Sequence, residues 1–126
     1  MKHRKKVLVV DDATTVRMYH RQILVQAGFE VDEAINGVEG LEKALQWDYD
    51  LYLVDVNMPN MDGYTFVRRL RADKNIKQSP VVMITTESRE KDKALAYEAG
   101  ANLYLVKPVK PEVLIRYIRA MAGAVK

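Results

Sequence analysis

Short apolar runs recur along the chain and divide it into regular intervals. Four of them are rich in β-branched or aromatic side chains and lack polar alternation: Val7–Val10, Leu51–Val54, Val81–Ile84 and Leu103–Val106. Strands that are covered on both faces of a parallel sheet have this pattern. A fifth segment, Glu30–Ala34, is much more polar, so we predict that it forms a strand at an edge of the sheet.

Helical periodicity fills the intervals between the strands. The predicted apolar faces are Val16, Ile23, Leu24 and Ala27; Val38, Leu41 and Leu45; Phe66, Val67 and Leu70; and Leu114, Ile118 and Met121. A further helix is expected from Lys91 to Ala99, where Gly100 ends it. The alternation of strand and helix, repeated five times, predicts an α/β fold: a five-stranded parallel sheet with five helices on both faces and right-handed crossovers.

The length and composition suit one domain with its own core. The chain has 126 residues, of which 48% are hydrophobic, so we predict a single domain over residues 1–126 without an effector domain. Cys is absent, which excludes disulfides and thiolate metal sites. The basic start of the chain is followed by an apolar run that is too short for a secretory signal or a membrane span, so we predict a cytoplasmic protein.

The net charge of +3 comes largely from the basic start and from Arg68, Arg69 and Arg71. We interpret both clusters as solvated surface, because no helix-turn-helix or aromatic stacking platform accompanies them. No nucleic-acid or membrane partner is therefore predicted, and a monomer is expected. His3 and His20 lack partners at metal-ligand spacing and are interpreted as surface or hydrogen-bonded residues. Trp47 is expected to pack.

Polar side chains stand where four of the predicted strands end. They are Asp11 and Asp12 after the first strand, Asp55 and Asn57 after the third, Thr85 after the fourth and Lys107 after the fifth. The carboxyl ends of parallel strands open on one rim, and doubly wound folds bind ligands there. Each residue alone has an ordinary explanation, such as a helix cap or a turn. Their joint occurrence favours a functional crevice.

The charges in this crevice indicate a chemistry. Three carboxylates face one ammonium, and their repulsion would raise the pKa of a carboxyl. A divalent cation removes this conflict, and oxygen ligands without His or Cys indicate Mg²⁺. Such an ion binds phosphoryl oxygens, Lys107 can pair with them, and the Thr85 hydroxyl can donate to them. The set predicts phosphoryl transfer to a carboxylate, with Asp55 as the nucleophile because its strand is central.

These residues stand within longer motifs that resemble a known family. The motifs are Val9-Val10-Asp11-Asp12, Asp55-Val56-Asn57-Met58-Pro59-Asn60-Met61-Asp62-Gly63, Thr85-Thr86-Glu87, Gly100-Ala101 and Tyr104-Leu105-Val106-Lys107-Pro108. Over about residues 5–123 the chain resembles the receiver domains of two-component response regulators, most closely the free-standing chemotaxis regulators of the CheY type. The resemblance implies a flavodoxin-like fold with strand order 2-1-3-4-5. Two positions depart from the chemotaxis pattern, Val56 and Val109.

The resemblance also implies a role for each matching position. Asp55 corresponds to the phosphoacceptor, Lys107 to the cation that binds the phosphoryl group, and Thr85 and Tyr104 to the pair that switches on phosphorylation. The implied Mg²⁺ ligands are Asp11, Asp12, Asp55 and the backbone carbonyl of Asn57. Asn57 and Glu87 would flank the hydrolytic water and tune dephosphorylation. The Lys107–Pro108 peptide bond is implied to be cis.

The predicted function is that of a switch rather than an enzyme. A sensor histidine kinase would phosphorylate Asp55, and the surface of the fourth helix, fifth strand and fifth helix would then change its affinity for an output protein in chemotaxis or motility. A phosphatase partner is possible. The alternatives are a phosphate sink or relay intermediate, a phosphorylation-independent binding module, and a Mg²⁺-dependent aspartyl phosphatase. The last usually has a second Asp where this chain has Asn57.

Overall fold

The computed structural model describes residues 4–123, in which strands and helices alternate strictly. The strands are β1 (Lys6–Val10), β2 (Glu30–Ala34), β3 (Leu51–Asp55), β4 (Val81–Thr85) and β5 (Leu103–Val106). The helices are α1 (Thr14–Gln26), α2 (Gly37–Gln46), α3 (Gly63–Ala72), α4 (Glu90–Ala99) and α5 (Pro111–Ala122). The prediction for His3 lies outside the described residues. Among residues 4–123, no helix is long and apolar enough to cross a bilayer.

All strand pairs are parallel, and the order in the sheet is β2-β1-β3-β4-β5, which confirms the predicted topology. The polar strand β2 lies at an edge, as expected. The other edge is β5, where Leu103, Leu105 and Val106 are only partly buried. Its side chains nevertheless pack on both faces of the sheet, Tyr104 and Val106 on one and Leu103 and Leu105 on the other, as expected.

Helices cover the sheet on both faces and create two apolar layers. On one face, Leu24 of α1 and Leu114 and Ile118 of α5 pack against the side chains of the sheet. On the other face, Phe66 and Leu70 of α3 pack in a cluster that also includes residues of α2 and α4. Alternate residues of the central strands point into the two layers, which explains their uninterrupted apolar sequence.

Helix α2 buries only part of the face that its periodicity predicted, since Leu41 alone of the three predicted residues packs against the core. Val38 and Leu45 are 48% and 52% exposed, whereas the buried residues of this helix are two glycines and an alanine. A Cβ atom on Gly40 would lie 2.8 Å from Cε1 of Phe66, so the helix can approach α3 this closely only without a side chain there. Trp47, which was expected to pack, is 54% exposed.

Arg71 joins three segments at the amino-terminal side of β4 and β5. Its guanidinium donates to the carbonyl oxygens of Gly100 and Ser79 at 3.1 and 2.8 Å. It also donates to the side-chain oxygens of Gln78 and Asn102 at 3.0 and 2.8 Å. The planar fork of donors thus ties α3 to the start of β4 and to the end of α4. Arg71 therefore stabilises the fold, although its position in a basic cluster had led us to interpret it as solvated surface.

Candidate functional site

The carboxyl ends of β1, β3, β4 and β5 bring the predicted site residues to one rim. Asp55 and Thr85 are the last residues of β3 and β4, and Asp11 and Lys107 directly follow β1 and β5. The register holds these ends level, since Asp55 is opposite Ile84 and Thr85 is opposite Val106. Residues that are up to 96 positions apart therefore share one crevice.

The charged groups of the crevice lie within a few ångströms of each other. The ammonium nitrogen of Lys107 is 3.7 Å from Oδ1 of Asp55 and 3.9 Å from Oδ2 of Asp11. Asp11, Asp12 and Asp55 each place a carboxylate oxygen within 4.8 Å of those of the other two. Asp12 is exposed, whereas Asp11 and Asp55 are 2% and 8% exposed. Two nearly buried carboxylates thus share one cation of the protein.

Burial and the repulsion between neighbouring carboxylates raise the pKa of Asp11 and of Asp55. Burial, followed by the charge of Asp11, raises the pKa of Asp55 to about 6, and Lys107 offsets part of this increase. Burial also raises the pKa of Asp11, and the hydrogen bond from the backbone N–H of Ala13 opposes it. The negative charge in the crevice is therefore incompletely compensated by the described residues.

The donor atoms fit a small divalent cation. Oδ2 of Asp11 is buried and accepts no hydrogen bond from any residue that the structure describes. It lies in a group of three carboxylates that contains no His or Cys. Hard cations such as Mg²⁺ bind oxygen ligands of this kind and retain water in their other coordination positions. Asp11, Asp12 and Asp55 can therefore hold Mg²⁺ directly or through water.

Thr85 and Tyr104 are connected through the backbone of one residue. The Thr85 hydroxyl oxygen accepts a hydrogen bond from the backbone N–H of Glu87 at 3.2 Å. The Tyr104 hydroxyl donates to the backbone carbonyl of Glu87 at 2.7 Å. Thr85 is fully buried, and Tyr104 is 7% exposed. The two predicted switch residues therefore need no direct contact in order to influence each other.

The loop after β3 carries the remaining predicted ligand. Asn57 lies two residues beyond the end of β3 and is exposed; the use of its backbone carbonyl as a ligand stays a prediction. The loop is held close to the strand because Gly63 N–H donates to the carbonyl of Val56 at 2.8 Å. A Cβ atom on Gly63 would overlap the carbonyl oxygen of Asp55 and lie 2.9 Å from Cα of Val56.

The Lys107–Pro108 peptide bond, after β5, is cis, as the resemblance implied.

Sequence reasoning missed two residues of α1 that lie beside the crevice. Arg17 is buried, donates to the backbone carbonyl of Asp11 at 2.8 Å and pairs with Glu33 at 2.9 Å. His20 is 5% exposed, and its Nδ1 has no hydrogen-bond partner among residues 4–123, so its interpretation as a surface or hydrogen-bonded residue was wrong. Its spacing of three and four residues from Ile23 and Leu24 on the inward face was the available signal.

Comparison with known proteins agrees with this geometry. A family model described as the response regulator receiver domain matches residues 7–119. The chemotaxis protein CheY1 of Helicobacter pylori strain J99 is 41% identical over 120 residues, which are 94% of this chain and 97% of that protein. The transcriptional regulatory protein ResD of Bacillus subtilis is 36% identical over 92% of this chain, but the match spans about half (47%) of that longer protein.

Solved structures give the same result. The chemotaxis protein CheY4 of Vibrio cholerae has a TM-score of 0.89 and 38% identity, with 94% of this chain and 99% of that chain covered. The receiver domain of a sensor histidine kinase from Pseudomonas aeruginosa has a TM-score of 0.88 and 28% identity, with 97% and 100% covered, and was solved with magnesium in its active-site cleft. The chain belongs to the response regulator receiver domain family and has the CheY-like fold.

Proposed function

We propose that the chain is a cytoplasmic, monomeric signalling switch, a single receiver domain over residues 1–126, that accepts a phosphoryl group on Asp55 from a sensor histidine kinase. The convergence of Asp55 and Lys107 with the carboxylates of Asp11 and Asp12 carries this proposal. A phosphoryl group attached to Asp55 would lie beside a cation and beside oxygen ligands for Mg²⁺, which are the components that phosphoryl transfer requires.

In the proposed reaction, a carboxylate oxygen of Asp55 attacks the phosphorus atom of phosphohistidine. A P–O bond forms, the P–N bond to the histidine breaks, and the imidazole leaves with the electron pair. Bound Mg²⁺ would neutralise charge on the phosphoryl oxygens; Asp11, Asp12, Asp55 and the Asn57 carbonyl are its proposed ligands. Lys107 supplies a fixed positive charge 3.7 Å from the nucleophile, so little rearrangement is needed when the charge develops.

Phosphorylation would act on the rest of the molecule through Thr85. The new group adds about −1.5 to −2 of charge and attracts both Lys107 and the Thr85 hydroxyl. Movement of this hydroxyl would weaken its bond with Glu87 N–H and shift the carbonyl that holds Tyr104. The populations of the α4–β5–α5 surface would then change, and with them the affinity for an output protein.

The output is proposed to be chemotaxis or motility. Two of the similar proteins, from Helicobacter pylori and Vibrio cholerae, are named as chemotaxis proteins and match over nearly their whole length. Asn57 and Glu87 are proposed to set the lifetime of the phosphorylated state, as the two positions that would flank the path of the hydrolytic water. A phosphatase partner could shorten this lifetime further.

The proposal is tested with acetyl phosphate and Mg²⁺, followed by intact-mass analysis. We expect one phosphoryl adduct on the wild-type protein and none on Asp55→Asn. No adduct should form on the wild-type protein when EDTA removes divalent cations before the donor is added. Asp62→Asn is the matched control, because its side chain caps α3 by accepting from Thr65 N–H, a bond that Asn can also make. A phosphoryl adduct of equal amount on Asp55→Asn would contradict the assignment. Repeated turnover of a phosphate ester would support an aspartyl phosphatase instead.

A further inference from the structure

Three of the four polar groups of Asp11 are held by hydrogen bonds. Its backbone N–H donates to the carbonyl of Ala34 at 3.1 Å, and its Oδ1 accepts from the backbone N–H of Ala13 at 2.9 Å. Its backbone carbonyl accepts from Nη1 of Arg17 at 2.8 Å. Oδ2 is buried and accepts no hydrogen bond from residues 4–123, so it is the group left for a cation.

The bond from Arg17 fixes the peptide between Asp11 and Asp12. The carbonyl of Asp11 is part of this peptide, so its direction sets how the backbone enters Asp12. A charged donor forms a stronger hydrogen bond with a carbonyl than a neutral donor does. Arg17 is 9% exposed and its bond to Asp11 is buried, so water does not readily replace it. The orientation of the two neighbouring carboxylates therefore depends on this side chain.

Glu33 of β2 holds the guanidinium of Arg17 in this position. Its Oε1 is 2.9 Å from Nε of Arg17, while Nη1 of the same side chain reaches Asp11. The planar guanidinium fixes the angle between its donors, so the contact with Glu33 orients the donor to Asp11. The edge strand β2 and helix α1 are thus connected to the crevice through one side chain.

We propose that Arg17, oriented by Glu33, is a positioning residue for the divalent cation: it holds the Asp11–Asp12 peptide so that both carboxylates are presented to one ion. This inference rests on the proposed Mg²⁺ site, and it assigns a role to a side chain that supplies no ligand atom. Removal of a residue that supports metal ligands commonly weakens metal binding by about 10- to 100-fold. Arg17 contacts a backbone carbonyl rather than a ligand oxygen, so we expect about tenfold.

The charge of Arg17 by itself predicts the opposite result. Burial is the largest influence on the pKa of Asp11 and raises it, whereas the charge of Arg17 acts more weakly in the opposite direction. Removal of a cation near three carboxylates would, by Coulomb's law, strengthen the binding of Mg²⁺. Removal of a positioning residue would weaken it, because the carboxylates would have to be ordered when the ion binds. The direction of the change therefore separates the two explanations.

The test measures Mg²⁺ binding to the unphosphorylated protein by ¹H–¹⁵N NMR, from the amide shifts of Asp12 and Ala13 as Mg²⁺ is added. Arg17→Met keeps the apolar stem and removes every donor, and we expect it to raise the dissociation constant about tenfold. Arg17→Lys keeps the charge but loses the planar guanidinium that spans both acceptors. It should therefore also raise the constant, by about threefold or more.

Arg21→Met is the matched control. Arg21 lies on the same helix and its Nε is 3.4 Å from Oε2 of Glu33, but its side chain is 52% exposed and forms no hydrogen bond with Asp11. The variant removes the same charge from the same neighbourhood, and it should change the dissociation constant by less than about twofold. A change as large as that in Arg17→Met would overturn the inference, because any cation beside Glu33 would then have the same effect.

Phosphorylation by acetyl phosphate gives a second readout. In Arg17→Met, the Mg²⁺ concentration that gives half of the maximal rate should rise by the same factor as the dissociation constant. The rate at saturating Mg²⁺ should stay within about twofold of the wild-type rate. A general structural defect would instead lower the rate at saturation, since misfolded molecules stay inactive at every Mg²⁺ concentration.

The inference and the proposed function can fail separately. If the wild-type protein binds Mg²⁺ and Arg17→Met binds it equally or more tightly, the inference is wrong and the proposed function stands. If the wild-type protein shows no Mg²⁺ binding, the proposed metal site is wrong and the inference falls with it. If Arg17→Met does not unfold cooperatively, Arg17→Lys decides: a dissociation constant equal to that of the wild type overturns the inference, because the charge would then be sufficient.

Discussion

Removal of the charge of Asp55 should stabilise the metal-free protein. The pKa of this carboxyl is raised from its ordinary value of 3.8 to about 6 by burial and by the charge of Asp11. The folded state therefore binds the proton more tightly than the unfolded state does, and unfolding between these pH values releases a proton. Stability contributed by this group falls as the pH rises from about 4 to about 6.

The pKa difference sets the magnitude. At neutral pH, ionised Asp55 costs about 3 kcal/mol of folding free energy, because each pKa unit corresponds to about 1.36 kcal/mol. Asp55→Asn should therefore raise the free energy of unfolding at pH 7 by about 3 kcal/mol in EDTA. Most of this gain should disappear at pH 4, where the wild-type carboxyl is already largely protonated in the folded state.

Urea titrations in EDTA at pH 7 and pH 4 measure both quantities. Far-UV circular dichroism is the appropriate signal, because the single Trp of the chain is 54% exposed and is a weak reporter of the core. Asp48→Asn, which removes an exposed carboxylate outside the crevice, should change stability by less than about 0.5 kcal/mol. Equal stability of Asp55→Asn and wild type at pH 7, or a gain that persists undiminished at pH 4, would refute the reasoning.

Two further predictions concern stability. Gly63→Ala should cost about 1–3 kcal/mol, because the new Cβ would overlap the backbone of Asp55 and approach Cε of Met83 to 2.8 Å. Gly28→Ala is the comparison variant, because its φ is positive, at 100°, and no heavy atom lies within 4 Å of the new Cβ; it therefore measures backbone strain without overlap. Equal urea midpoints for wild type and Gly63→Ala would contradict the estimate for Gly63→Ala. Arg71→Lys should lower the free energy of unfolding by about 1.5–3 kcal/mol, because one ammonium cannot reproduce the four hydrogen bonds of the planar guanidinium. Arg69→Lys, at an exposed position of the same helix, should be nearly neutral in the same titration.

The pattern of strand ends could be predicted because it depends on one rule. Parallel strands must have their carboxyl ends on the same rim, so Asp55, Thr85 and Lys107 could be assigned to one crevice before any distance was known. The convergence of the strand ends also predicted that the carboxylates would repel each other, which the raised pKa of Asp55 supports. Apolar periodicity likewise predicted the number, order and approximate bounds of the helices.

Features that depend on distances between helices were not accessible to this reasoning. The burial of α2 through Gly40 depends on the nearby ring of Phe66, which periodicity does not encode. His20 and Arg71 have polar side chains that sequence patterns assign to the surface, yet tertiary contacts bury the first and give the second four acceptors. The edge position of β5 followed only from the strand order 2-1-3-4-5 that the resemblance implied, because its own apolar run does not distinguish an edge strand from a central one.

The contacts of Glu87 suggest how a small movement at the crevice could reach α4. Its N–H is bound by the Thr85 hydroxyl oxygen and its carbonyl by the Tyr104 hydroxyl, so one peptide segment is held from both sides. This segment directly precedes α4, whose first turn is also contacted by the Tyr64 hydroxyl at the carbonyl of Asp92, 3.2 Å away. If Thr85 turns toward a phosphoryl group, the segment loses one of its two anchors. In the proposed switch, the start of α4 can then shift even though Tyr104 is already buried, and the backbone at Glu87 links the site to the surface.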